Sequence, residues 1–112
     1  MVVTPTALVE GSALTGSEAD YYTVPDTAIS AGIGDVSLLN TSASDVTVEV
    51  YAVPKGDSSG VANAVLKSFP LPPGIPQNFS MRRVINPGTT IKALASTGSV
   101  VAFSVSGVVV TE

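Results

Sequence analysis

Residues Val36 to Val53, VSLLNTSASDVTVEVYAV, decide the fold class. Val46, Val48, Val50 and Ala52 alternate with Thr47, Glu49 and Tyr51. Successive side chains of a strand point to opposite faces, so this pattern describes a strand with one face buried. Upstream, Val36 to Leu39 reads as a second strand. Between the two, Asn40 to Asp45 is rich in Asn, Asp, Ser and Thr, whose side chains hydrogen-bond their own backbone in turns.

Working outward, turn signals recur every eight to twelve residues. Tyr21 to Val24 is a short strand ended by Pro25-Asp26, and Thr27 to Leu39 is extended with a bulge or bend at Gly32-Ile33-Gly34. Pro54 to Gly60 is a surface loop. A strand follows over about residues 64–70, although Val61, Ala64 and Val65 also have helical spacing. Pro70 to Pro76 enforces a stiff turn, and Gln77 to Ile85 alternates again. Asn86-Pro87-Gly88 is a turn, Thr90 to Ala95 a strand, and Ser96 to Ser99 the last turn. Val100 to Val110 is apolar on nearly both faces, so it belongs in a sheet interior or under a cover. The sum is an all-β chain, an antiparallel β-sandwich of about seven strands, jelly-roll or immunoglobulin-like. Residues 1–20, broken by Pro5, Gly11 and Gly16, read as an extended N-terminal arm, with room for a short strand near Val2 or Leu8; residues 21–112 form the sandwich.

A single domain of 112 residues buries about two-thirds of its unfolded surface. Only 12% of the residues are charged against 45% hydrophobic, so Ser, Thr, Gly and Ala must cover much of the surface. Such a surface suits packing against neighbours. Net charge is −4, which disfavours nucleic acid as a partner. All seven carboxylates of residues 1–54 lack a cation in the same half, whereas Lys55, Lys67, Arg82, Arg83 and Lys92 share the second half with Asp57 and Glu112. That asymmetry either steers contacts between copies or vanishes by mixing when the halves interleave, and mixing is preferred.

Catalytic chemistry finds no support. Cys and His are absent, which removes thiol nucleophiles, disulfides and imidazole ligands. A serine nucleophile would have only lysines for a base, and no local motif supplies one. Glu18 and Asp20 lie in the arm, and Asp26 and Asp35 at turns or bends, which suits solvation better than acid–base work. The lone Gly32-Ile33-Gly34 opens no helix, so it is no phosphate cradle, and the acidic spacing fits no calcium loop. Two glycosylation-type triplets, at Asn40 and Asn78, are discounted because no secretory signal accompanies them. No catalytic, cofactor-binding or metal-binding residue is expected. With neither a signal peptide nor an apolar run that could span a bilayer, the expectation is a soluble protein made in a cytoplasm, without a membrane partner.

The runs Tyr22-Thr-Val-Pro25, Leu38-Leu-Asn-Thr-Ser42, Val46 to Pro54, Val84-Ile-Asn-Pro-Gly-Thr-Thr-Ile91 and Val105-Ser-Gly-Val108 resemble small β-sandwich domains of tailed bacteriophages, structural proteins of capsids and tails. The resemblance covers roughly residues 21–110 and carries no catalytic residues. It implies a virion component made in the host bacterial cytoplasm, acting by packing with copies of itself and with other virion proteins, the major capsid protein first. Within that class the expected role is a capsid decoration (cement) protein that stabilises the head. The alternative is a tail, collar or fibre component, or a receptor- or carbohydrate-binding module built around Tyr51 and the loop 54–60. A non-viral adhesin is disfavoured by the missing signal sequence. Expected intersubunit contacts are Val2, Val3, Leu8, Val9 and Leu14 of the arm, the pair Arg82 and Arg83, sent by alternation to opposite faces, and Val108 and Val110 of the last strand.

Overall fold

The computed structural model describes residues 1–112 and contains eight strands and one short 3-10 turn. Strand β1 is Val2–Ala13, β2 Ala19–Thr23, β3 Ser30–Asn40 and β4 Val46–Val53. After the turn Val61–Asn63 come β5 Ala64–Leu71, β6 Gln77–Ile85, β7 Thr90–Ala95 and β8 Val101–Thr111. They form two four-stranded antiparallel sheets, sheet A in the order β1-β8-β3-β6 and sheet B in the order β2-β7-β4-β5. The chain changes sheet at every connection except β4 to β5, and its first strand pairs with its last. That wiring is the eight-stranded jelly roll, which settles the choice against an immunoglobulin-like arrangement.

Alternation builds the core. Val46, Val48 and Val50 of β4, Val36 and Leu38 of β3, Val101, Phe103 and Val105 of β8, and Ile91, Ala93 and Ala95 of β7 all point between the sheets and are buried. The apolar β8 lies inside sheet A, flanked by β1 and β3, as its composition requires.

One sequence expectation changes. Residues 2–13 are not an arm reaching away from the domain: they are β1, hydrogen-bonded along β8 from Val2↔Thr111 to Ala13↔Ala102. Extra residues between Ala7 and Val9, and again between Val9 and Ser12, shift the register and break the alternation that would have revealed the strand. The turn at Asn40 to Asp45 is where the sequence places it. It is a corner that carries the chain from sheet A into sheet B. Asn40 is fully buried there, its amide donating to the carbonyls of Ser44 (2.7 Å) and Leu71 (2.9 Å) and its Oδ1 accepting from Ser42 N (2.9 Å) and Oγ (2.7 Å). A buried amide with every bond made pins the corner, because leaving those groups unpaired would be costly.

All four edge strands carry the extra residue of a bulge. It falls twice in β1, at Tyr21 in β2, around Lys67-Ser68 and at Val65 in β5, and around Met81-Arg82 in β6. Ser68 and Arg82 take left-handed backbone there, with φ of 50° and 48°. Pro5 and Pro70 add edge positions without a donor. Bulges, prolines and cations are the devices that keep open edges from pairing with other chains.

Candidate functional site

With the edges defended, the two outer faces are left to meet other molecules, and they differ in chemistry. On sheet B the outward positions tie one another off. Tyr51 is only 5% exposed; its hydroxyl donates to Glu49 Oε1 at 2.5 Å, and Lys67 Nζ donates to the same carboxylate at 3.2 Å and to the Tyr51 oxygen at 3.1 Å. The Lys67 ammonium also stands 5.8 Å from the Tyr51 ring centre, within cation–π range. The hydrogen bond from Tyr51, then that from Lys67, holds the Glu49 carboxyl below its ordinary range; the bond to Glu49 raises the Tyr51 phenol against an opposing pull from Lys67, and the bonds to Tyr51 and then Glu49 raise the Lys67 ammonium. One strand over, Lys92 pairs with Asp20 at 3.3 Å, and the Thr23 and Thr90 hydroxyls meet at 3.0 Å.

Tyr51 therefore offers no open aromatic platform to a sugar. Phe69 and Phe79 stack edge-to-face at 5.1 Å and Tyr21 against Phe103 at 5.4 Å, each pair packed on or in the core. These rings hold the sheets together.

The outer face of sheet A is bare. Cross-strand pairing lays its outward residues in rows: Val3, Val110 and Ser30; then Pro5, Val108, Gly32 and Val84; then Ala7, Ser106, Asp35 and Ser80. Beyond them lie Ser104, Ser37 and Asn78, and last Ala13, Ala102 and Leu39. Asp35 is the only charge in these rows, held by Ser80 Oγ at 2.9 Å. One end is apolar, with Val84 73% and Val3 53% exposed. Beside Val84 is a shallow depression of about 300 Å³ lined by Gly32, Gly34, Gly107 and Val108, with Arg82 and Arg83 at its rim. A Cβ at Gly107 would collide with the Gly32 carbonyl oxygen and press on Leu8, so only glycine lets β3 and β8 approach this closely beneath the depression.

The charge halves have mixed. Each lysine pairs with a first-half carboxylate: Lys55 with Asp26 at 3.6 Å, Lys67 with Glu49, Lys92 with Asp20. Arg82 and Arg83 form no ion pair. Arg83 pairs with the inward-facing Ile33 and Arg82 lies in the exposed β6 bulge, and both residues border the depression. Of the other expected contact residues, Leu8, Val9 and Leu14 are buried in the core and are not available to a partner, whereas Val2, Val3, Val108 and Val110 lie toward the apolar end of sheet A. Sequence reading missed Val84, Gly32 and Gly107. The adjacency of three glycines and a valine across three strands is visible only once the register is known.

No group of acidic residues is arranged to hold a metal ion, and no helix is long and apolar enough to cross a membrane. No protein-family model matches the chain, and no curated protein does. Among solved structures, the chain is similar to one in the structure of infectious bursal disease virus, Gx strain, with TM-score 0.53 and 15% identity over 97% of this chain and 32% of that one. A chain in the structure of the Gt strain of the same virus matches with TM-score 0.52 and 14% identity over the same shares. This chain thus spans about a third of the length of the viral chains it matches. At these identities the likeness is one of fold: the chain shares its β-sandwich with chains of virus structures.

Proposed function

We propose that this chain is a virion structural protein that acts by packing, and more narrowly a decoration protein that cements the head of a tailed bacteriophage. A jelly roll alone does not choose a function, since coat, lectin and cupin domains all use it. The observation that carries the reading is the contrast just described: a nearly uncharged, small-residue sheet face with a valine end, on a domain whose edges are all blunted. An extended face of this kind, too shallow to enclose a small molecule, suits another protein surface. The bacteriophage assignment rests on the sequence resemblance, and the virion role is further supported by the fold likeness to viral chains.

The partners are copies of this chain and a coat protein. Co-sedimentation with bacteriophage capsids that lack the protein tests the reading. Saturable binding that raises capsid resistance to heat is the expected result. Binding to tails or host cells with none to heads would replace the decoration role by a tail or receptor-binding one. Deleting residues 1–13 is not a useful test, because it removes an edge strand that carries core residues Leu8 and Val9.

A further inference from the structure

We infer that the outer face of sheet A pairs two copies of this chain, face to face about a two-fold axis. An interface on such an axis must be self-complementary: whatever protrudes from the patch must fit a recess in the same patch. Here the protrusion and the recess are neighbours. Val84 stands 73% exposed beside the depression floored by Gly32, Gly34 and Gly107. Rotating a second copy over the first seats each Val84 in the other's glycine floor. Ser106 and Ala7 in the adjoining row are small enough to let the sheets approach.

The charges obey the same rule. Arg82 and Arg83 have no carboxylate within the chain, and Asp35, on the same face, has only the Ser80 hydroxyl. Within one copy these groups do not meet. Across the axis, each Arg82 faces the other copy's Asp35, so one charge of each sign on this face gains a partner in the pair. The bulged edges argue against the competing route, in which strands of two copies add side by side. The pairing goes beyond the virion reading and does not need it: a chain that dimerises in solution but ignores capsids would keep this inference and lose that one.

Sedimentation velocity of the full chain over a range of concentrations tests it, with circular dichroism to establish that each variant is folded. The wild type should pass from monomer to dimer as concentration rises. Val84→Asp and Ser106→Arg, both at exposed positions, should each raise the dissociation constant by about tenfold or more. Arg82→Asp and Asp35→Arg should each weaken pairing, while the double variant, which restores opposite charges across the axis, should recover most of the affinity. A wild type that stays monomeric to its solubility limit would overturn the inference. So would dimers indifferent to both Val84→Asp and Ser106→Arg, or a double variant no better than its parents.

Discussion

On sheet B the outward positions of β4, β5 and β7 hold Glu49, Tyr51, Lys67 and Lys92, each bonded to a neighbour on the same face. On sheet A the equivalent positions of β3, β6 and β8 hold Gly32, Ser37, Ser80, Val84, Ser104, Ser106 and Val108, most of them with no side-chain partner at all. Both sheets feed the same core, so packing inside does not explain the difference outside. A face whose polar groups are satisfied internally has little to gain from a partner. A face mostly of glycine, serine and valine gains by excluding water, and Asp35 is the one charge in its rows that such burial must satisfy.

If that contrast is built into the backbone, the glycines of sheet A should show it most. Gly107→Ala should destabilise the domain by at least about 3 kcal/mol, because its Cβ meets the Gly32 backbone and β3 and β8 must separate. Gly32→Ala should change stability by no more than about 0.5 kcal/mol, since its Cβ would lie 3.3 Å from a Val108 methyl that can move. Urea unfolding of the two variants measures both. Equal effects would mean that close strand approach does not hold the face flat.

Next in size is the corner that both sheets share. Asn40→Ala strands the Leu71 carbonyl and the Ser42 amide, at a cost of about 2 kcal/mol. The two outer faces then separate under lighter changes. Tyr51→Phe on sheet B should cost about 1 kcal/mol, because a nearly buried hydroxyl leaves its carboxylate. Ser80→Ala on sheet A, which removes one exposed hydrogen bond to Asp35, should cost less than about 0.5 kcal/mol. Were Ser80→Ala the more damaging of the two, the bare face would be under more internal constraint than its geometry indicates.

These residues also mark what a reader of the sequence can see. Strands β2 to β8 were legible because long stretches of them alternate and their turns use Pro, Gly, Asn and Asp, although the start of β5 also had helical spacing. Strand β1 was not: Leu8 and Val9 are consecutive and both buried, a pattern that only a bulge allows. The corner at Asn40 was legible as a turn but not as a change of sheet, because the same side-chain bonds close a hairpin or a crossing equally well. Arg82 and Arg83 were singled out, yet the bulge at Arg82 shows only in the pairing with β3. Tyr51 was placed correctly on the outward face, but its cover comes from Glu49 on its own strand and from Lys67 on a strand whose register is shifted by two bulges. The face itself went unread since serine and glycine at alternate positions look like any solvated strand.

The smallest effect is also the one that dissects sheet B. The Glu49 carboxyl titrates below its ordinary value of 4.5, chiefly because Tyr51 donates to it and next because Lys67 does. A carboxylate whose folded pKa is depressed contributes stability above its unfolded pKa and surrenders it as pH falls through the folded one. Stability measured by urea midpoint should therefore show an acid limb starting near pH 4.5 and extending below it, and Glu49→Gln should remove this site's share of that limb. The step is modest because the carboxylate sits at the surface. Tyr51→Phe takes away the first cause and leaves the second, so its acid limb should shrink without vanishing. An acid limb unchanged in Tyr51→Phe would assign the shift to Lys67, and the buried phenol would then serve sheet B by its packing alone.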